Sequence, residues 1–131
     1  MRIADCGLRI VEHARETAPR ECCGVLIGRG DEIVEAVRAR NIADSPGSRF
    51  LIDPADHFAA RRAARERGLE VIGFYHSHPA SPAEPSPSDL AEFSYPGSLY
   101  LIVSLRAEPP EIGLFRFDGG NFQRISVVTV G

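Results

Sequence analysis

The sequence predicts an α/β (α+β) fold in which a mixed, largely antiparallel sheet is flanked by two longer helices and one short helix. Two segments repeat apolar residues at the helical period, and each ends at a helix-breaking residue, Pro19 or Gly68. Short runs of β-forming residues alternate with turns rich in glycine and aspartate. The length of 131 residues suits one domain, so we expect residues 1–131 to form a single domain.

The first half of the chain predicts a helix, a hairpin and a second helix. The turn of the hairpin is Gly28-Arg29-Gly30-Asp31, and the second helix has Asp53 as its N-cap and Pro54 in its first turn. In that helix Phe58 and the alanines around it suit close packing on a sheet. The predicted elements are a helix at 4–18, strands at 22–27, 32–38 and 49–52, and a helix from 53 to about 67.

The second half predicts strands interrupted by one loop and one short helix. Four prolines mark the loop, and the turn Asp118-Gly119-Gly120-Asn121 joins the last two strands. The predicted elements are a strand at 70–78, a loop at 79–87, a short helix at 88–93, and strands at 98–105, 112–117 and 122–130.

Composition excludes several classes of function. A formal net charge of −3 gives no general attraction to nucleic acid or to acidic membranes. No apolar run approaches the ~20 residues of a membrane span, and the N-terminal segment lacks the apolar centre of a signal peptide. Three cysteines, an odd number, argue against a disulfide framework and agree with a reducing compartment. We therefore expect a cytoplasmic protein.

Two histidines at the end of a predicted strand form the first candidate site. Because strand residues two apart share a face, His76 and His78 can aim their imidazoles at one point, while Ser77 faces the other side. Two imidazoles suit zinc, and a third protein ligand would complete a catalytic site. Ordinary strand-end histidines are the alternative, since short motifs often arise by chance.

Asp89 is the natural third ligand, eleven residues after His78 across a loop that can fold back on the strand end. Ser86-Pro87-x-Asp89 also has the pattern of a helix N-terminus, with Ser86 as cap. The two interpretations are compatible, because a capping turn also determines where the side chains of the first helical turn point.

Glu21 is the candidate general base, because a hydrolase that uses a metal needs one near the attacking water. It precedes the buried strand at 22–27, at an element end where a carboxylate can face a cleft. The alternative is a solvated charge between a helix and a strand.

Two blocks of residues resemble the JAMM (MPN-plus) metallopeptidase family. The first is His76-Ser77-His78-Pro79, the seven residues 79–85, and Ser86-x-x-Asp89; the second is the upstream stretch from Glu21 to Gly28, ECCGVLIG. The order of the predicted elements also fits the MPN fold over most of the chain. Both blocks have the internal spacing of the family, which makes the pair far more specific than either alone.

The resemblance implies a complete zinc site. His76, His78 and Asp89 would bind Zn²⁺, Glu21 would be the general base, and Ser86 would stabilise the oxyanion of the tetrahedral intermediate. Two histidines and one aspartate also accept iron or manganese. No catalytic position of the family pattern is missing, which argues against a non-catalytic MPN protein-binding module.

The resemblance also implies a substrate class. The short chain is similar to compact prokaryotic members, which release an amino acid or peptide after the C-terminal Gly-Gly of a ubiquitin-like sulfur-carrier protein. A DNA-repair-associated relative shares the motif, but the acidic net charge argues against nucleic acid as a partner. The arginines at 61, 62, 65 and 67 form a basic helix face, which is either solvated or a dock for an acidic carrier protein.

Overall fold

The computed structural model describes residues 1–45, 47, 50–86, 89, 95 and 97–129, and within them the chain forms ten regular elements. Numbered in chain order, they are β1 (Arg2–Ile3), α1 (Cys6–Thr17), β2 (Cys23–Arg29), β3 (Glu32–Ala39), α2 (Pro54–Glu66), β4 (Glu70–His78), β5 (Leu99–Ser104), β6 (Glu111–Phe117), β7 (Phe122–Arg124) and β8 (Val128–Thr129). The predicted short helix at 88–93 lies outside the described residues, except for Asp89, which is helical.

One curled sheet contains all eight strands, in the order β7, β6, β5, β4, β2, β3, β1, β8. Its pairings between β2 and β3, β2 and β4, β5 and β6, and β6 and β7 are antiparallel, whereas β4 with β5, β1 with β3, and β1 with β8 pair in parallel. The outermost strands β7 and β8 are joined by only three residues, which reach at most about 14 Å. Eight flat strands would span about 34 Å, so the sheet must curl back on itself. The predicted mixed, largely antiparallel sheet is confirmed.

Helix α1 fills the inside of this curl. Its buried side chains include Ile10 and Ala14, which contact a cluster of apolar residues from at least four strands. His13 is buried on the same helix, where its Nδ1 lies 2.7 Å from the Tyr75 hydroxyl of β4. The apolar period that predicts this helix thus covers the largest core of the protein.

Helix α2 packs on the outer face of the sheet through small side chains. Asp53 caps the helix by accepting a hydrogen bond from the Ala55 N–H at 2.8 Å. Ala60 and Ala64 are its buried residues, and Ala60 contacts the second core cluster with Phe74. Neither α1 nor α2, the helices of the described part of the chain, is long and apolar enough to cross a membrane.

Strand β4 lies between β2 and β5 and supplies residues to both cores. Tyr75 faces α1, whereas Phe74 faces α2. His76 and His78 therefore share the α2 side of the sheet with Phe74, as strand alternation requires. The two histidines thus lie at the C-terminal end of β4, a strand that is paired on both sides.

Four local expectations are corrected. β1 is absent from the predicted elements because two residues show no period. Residues 49–52 give no strand among the described residues, only a bridge between Ile52 and Asn41. The predicted strand at 122–130 splits, because residues 125 and 127 turn inward to the α1 core. Phe58 is 62% exposed, because the face of α2 centred on Ala60 and Ala64 meets the sheet instead.

Candidate metal centre

The two histidines of β4 converge as strand alternation predicts. His76 is fully buried and His78 is nearly so, and their Nε2 atoms lie 3.1 Å apart. Each is held by its backbone in the pairing of β4 with β5, where His76 lies opposite Ile102 and His78 opposite Ser104. The imidazole positions thus follow from a strand that is paired on both sides.

Asp89 completes a triangle with these two nitrogens. Its Oδ2 lies 3.1 Å from the Nε2 atoms of both His76 and His78. The same oxygen accepts a hydrogen bond from the Ser86 N–H at 2.9 Å, and Ser86 Oγ accepts one from the Asp89 N–H at 3.1 Å. Ser86 and Asp89 therefore cap each other, and the cap aims the carboxylate at the histidines.

The hydrogen bonding of His78 indicates which of its two ring nitrogens is available to bind a metal ion. His78 Nδ1 lies 2.7 Å from the Pro82 carbonyl oxygen, which can only accept, so Nδ1 carries a proton. In the neutral ring, Nε2 is then an unprotonated lone pair that faces the carboxylate of Asp89. The three atoms lie 3.1 Å from one another, a spacing at which they can share a proton or hold a metal ion between them.

The pKa values indicate the charge states of the same three side chains. Burial alone would raise the pKa of Asp89, but its contacts with His76, His78 and the Ser86 N–H lower it below its ordinary value. Burial lowers the pKa of His76. Burial would also lower the pKa of His78, yet the contacts with Asp89 and the Pro82 carbonyl raise it on balance. The site thus favours an ionised Asp89 beside a neutral His76.

The spacing of the triangle fits a small divalent ion. Ligand atoms at 2.0–2.1 Å from a tetrahedral zinc lie about 3.3 Å apart, close to the 3.1 Å observed. The second carboxylate, that of Glu21, has an oxygen within 4.8 Å of the nitrogens of His76 and His78. Asp89 is the nearer of the two carboxylates and is the better placed to be a ligand.

Glu21 reaches the site through the pairing of β2 with β4. Cys23 lies opposite His76, and two hydrogen bonds between Cys22 and Ser77 extend the pairing by one residue, so Glu21 falls beside His78. The side chain is 6% exposed, and its Oε1 has no hydrogen-bond partner among the described residues. The pKa of Glu21 is raised to about 7, mainly because the side chain is buried. The nearby His78 lowers this pKa in part, and Asp89 raises it. A buried carboxyl with an unsatisfied oxygen and this pKa suits proton transfer near neutral pH.

An apolar groove runs from the histidines to helix α2. The ring of Phe50 stacks on His76, with centroids 4.1 Å apart and an angle of 17° between the planes. Phe50 also lines a cavity of about 370 Å³, together with Leu51, Phe58, Tyr95 and Arg61. Leu51, Phe58 and Tyr95 are each about half exposed or more. The groove thus offers an apolar surface beside the candidate metal centre.

The structure brings together all five predicted site residues, and it adds others that the sequence analysis missed. His76, His78, Asp89 and Glu21 meet as described, and Ser86 contacts Asp89. Phe50, the Pro82 carbonyl and Asn41, which donates to the Glu21 carbonyl, were missed. Their contacts join residues far apart in the chain or use a backbone atom, so local spacing carries no signal for them.

Residues 4–118 match the protein family described as prokaryotic homologs of the JAB domain. The chain is 35% identical over 130 residues to the desampylase of Haloferax volcanii, which covers 95% of this chain and 91% of that protein. It is 32% identical over 104 residues to the CysO-cysteine peptidase of Mycobacterium tuberculosis, covering 79% of this chain and 71% of that protein.

Two solved structures have the same fold. A protein from Desulfitobacterium hafniense superposes with a TM-score of 0.89 at 30% identity, over 99% of this chain and 93% of its own. A JAB1/MPN domain protein from Archaeoglobus fulgidus superposes with a TM-score of 0.67 at 23% identity, over 99% of this chain and 97% of its own. The MPN-like architecture predicted for the sheet and helices is therefore confirmed.

Proposed function

Since this chain belongs to the family of prokaryotic JAB-domain homologs, we propose that it is a zinc-dependent peptidase that releases amines from the C-terminus of a ubiquitin-like sulfur-carrier protein. The resemblance to compact JAMM peptidases, and with it the prediction of an enzyme, is confirmed by this membership and by the named peptidase relatives. One observation carries the specific proposal: the Nε2 atoms of His76 and His78 and Oδ2 of Asp89 form a triangle with 3.1 Å sides, beside the buried carboxyl of Glu21.

The roles of the ligands follow from the donor set. His76, His78 and Asp89 would hold one Zn²⁺, because their three converging donor atoms lie at zinc-like spacing. When bound, such an ion supplies Lewis acidity, which polarises an amide carbonyl and makes water more acidic. The hydrogen bond from His78 Nδ1 to the Pro82 carbonyl holds the ring in the tautomer that leaves Nε2 free to bind.

Glu21 would move the proton. Its carboxylate accepts a proton from the attacking water as the water oxygen bonds to the carbonyl carbon, and it later donates that proton to the leaving nitrogen as the C–N bond breaks. The products are a carrier with a free carboxylate and an amine. The pKa of about 7 places the two protonation states of Glu21 in balance near neutral pH.

Ser86 would stabilise the developing oxyanion. Its Oγ accepts a hydrogen bond from the Asp89 N–H. Its hydroxyl proton has no acceptor among the described residues, so it is available to donate to a substrate. A hydroxyl aimed at an oxyanion contributes about 2.7–4 kcal/mol to catalysis in other hydrolases. The same residue would thus cap Asp89 and donate to substrate.

The enclosure of the site supports a glycine-rich substrate. His76, His78, Asp89 and Glu21 are each 6% exposed or less, so a scissile bond with bulky neighbours could not approach them. A Gly-Gly tail is thin and extended, and the apolar groove beyond Phe50 can hold the residues that precede it. The names desampylase and CysO-cysteine peptidase, borne by the two relatives, favour such carrier conjugates.

A reducing cytoplasm would suit the protein. Cys6, Cys22 and Cys23 are all buried and form no disulfide. Burial raises the pKa of Cys22 to about 11 and that of Cys23 to about 12, so both thiols stay protonated and serve as packing residues.

The decisive experiment compares the parent protein with Glu21→Gln. Both are analysed for bound zinc and are incubated with carrier–amino acid amides, with cleavage read by intact mass. We expect Glu21→Gln to retain zinc and to lose about 10²–10⁴-fold in turnover, because it keeps the shape of the side chain but loses the proton acceptor.

The matched control is Glu12→Gln, which makes the same change on an exposed position of α1 and should cleave like the parent. An active Glu21→Gln variant would remove Glu21 from the mechanism. A parent that binds zinc but cleaves no carrier conjugate would favour a protein-binding module instead.

A further inference from the structure

Asn41 connects the two sides of the candidate active site. It lies two residues after β3 and is half-buried. Its Nδ2 donates a hydrogen bond of 3.0 Å to the backbone carbonyl of Glu21. Its Oδ1 accepts hydrogen bonds of 3.0 Å each from the N–H groups of Ala43 and Leu51. One side chain thus joins the backbone of the general base to both ends of the segment that follows β3.

Hydrogen bonds join the two ends of that segment, residues 40–43 and 51–53, and these joined ends form its neck around Asn41. The Ile42 N–H donates to the Leu51 carbonyl at 2.8 Å, and the Asp53 N–H donates to the Arg40 carbonyl at 3.0 Å. Next to Leu51 stands Phe50, whose ring stacks on the candidate ligand His76. The contacts of Asn41 therefore run to Glu21 on one side and, through Leu51 and Phe50, to His76 on the other.

We propose that Asn41 is a positioning residue that holds Glu21 at its working distance from the metal ligands by anchoring the Glu21 backbone to the closed neck beneath Phe50. The inference rests on the proposed function, since it assigns Asn41 to the same reaction.

Glu21 needs such an anchor because its carboxylate has little to hold it. Oε1 is buried without a hydrogen-bond partner among the described residues, so the backbone largely determines where the carboxylate lies. Glu21 also precedes the first residue of β2, where the regular ladder with β4 has ended. In enzymes, a displacement of about 1 Å at a reacting group can cost about 10² in rate.

The amide of Asn41 meets two opposite demands at this position. The Glu21 carbonyl requires a donor, whereas the N–H groups of Ala43 and Leu51 require an acceptor, and a primary amide supplies both. Asn41→Asp has the same shape and retains the acceptor for Ala43 and Leu51. It places a second oxygen against the Glu21 carbonyl, so the contact with the general base becomes repulsive while the neck stays closed.

The test uses Asn41→Asp in the full chain loaded with zinc, on the carrier conjugate that the parent cleaves. We expect kcat to fall about 10–100-fold, whereas KM and the zinc dissociation constant stay within about threefold of the parent values, because the hydrogen bonds of Asn41 to Glu21, Ala43 and Leu51 all go to backbone groups and not to the ligand side chains. In a Glu21→Gln background the same substitution should cause no further loss. Asn121→Asp, which makes the same change in the exposed β6–β7 turn, should match the parent.

Two kinetic results would overturn the proposal. One is a kcat of Asn41→Asp within about twofold of the parent. The other is a loss carried by KM or by zinc affinity, which would make Asn41 a structural staple of its loop. If Asn41→Asp does not fold, Asn41→Gln, which keeps an uncharged amide but moves it by one methylene, is read by the same criteria.

A readout independent of turnover separates this inference from the proposed function. In the parent protein, a Glu21 carboxylate oxygen lies within 4.8 Å of the nitrogens of His76 and His78. In a crystal structure of Asn41→Asp, this distance should exceed 4.8 Å. An unmoved carboxylate would refute the positioning role even if the parent cleaves no carrier conjugate, a result that by itself would refute only the proposed function.

Discussion

At the scale of single residues, the candidate metal centre depends on where protons lie. The Pro82 carbonyl holds the proton of His78 on Nδ1, and this directs the lone pair of Nε2 toward Asp89. Asp89 in turn is aimed by the Ser86 N–H. Two of the candidate ligands, His78 and Asp89, are thus each oriented by a second group behind them, as in other metal sites.

Asp89→Asn tests the role of the carboxylate. The change keeps the shape of the side chain but removes the negative charge, so two neutral imidazoles remain to hold a divalent ion. We expect zinc affinity to fall by more than the roughly 10–100-fold that the loss of an outer partner costs, and cleavage to disappear with the metal. Zinc per chain, measured by elemental analysis after dialysis, reports the result, and a variant that keeps full zinc would show that Asp89 is not a ligand. Asp31→Asn, at the exposed hairpin turn, is the control.

At the scale of elements, the loop after β4 is positioned by its packing on the sheet. Ala83 is buried against Ile102 and Phe115, and the Ser104 hydroxyl donates to the Ser81 carbonyl at 2.5 Å. These contacts hold the segment that supplies both the Pro82 carbonyl and Ser86. The loop is therefore part of the folded core as well as of the site.

Gly113→Ala should disturb the site from behind. Gly113 lies opposite Ile102 in the β5–β6 pairing, and a Cβ at this position would overlap the Ala83 carbonyl oxygen. Because backbone cannot yield as a side chain does, the loop must shift, and overpacking of this kind costs about 1–3 kcal/mol of unfolding free energy. We expect a lower urea midpoint together with weaker zinc binding.

Gly120→Ala is the control for this change, since a Cβ there meets only an ordinary contact at 3.9 Å. Full zinc affinity in a destabilised Gly113→Ala variant would show that the loop packing does not govern the ligands.

At the scale of the whole molecule, charge and apolar surface meet on one side of α2. Arg61 lines the apolar groove, and with Arg65 it also lines a neighbouring cavity of about 390 Å³. Neither arginine has an ion-pair partner among the described residues, whereas Arg67 of the predicted basic face binds Glu35 at 3.1 Å. Arg61 and Arg65 of the basic face therefore lie in or next to the groove without an ion pair among the described residues.

Substitution of both Arg61 and Arg65 by alanine tests whether this surface recruits an acidic carrier protein. Electrostatic attraction mainly accelerates association, so we expect KM to rise several-fold at low salt, kcat to stay the same, and the dependence of KM on salt to become flatter. Steady-state kinetics between about 20 and 300 mM NaCl, spanning a strong change in screening, give the answer. The double substitution of Arg9 and Arg20, both exposed, removes equal charge elsewhere, and an identical response from it would refute a local docking role.

Local patterns in the sequence determined the central part of this site. Strand alternation predicts that His76 and His78 share one face, and the capping pattern predicts the contact between Ser86 and Asp89. Both predictions are possible because the residues concerned are near neighbours in the chain. The two longer helices and most strands follow from the same short-range periods.

Only the tertiary structure decided what surrounds that centre. Glu21 lies beside His78 because β2 and β4 pair in one particular register, and Phe50 and Asn41 arrive from a loop whose own residues show no period. Pro82 contributes a backbone carbonyl, which every residue possesses. Register and loop closure are selected by burial of the whole core, a free energy shared among many distant residues, so they leave no local pattern to read.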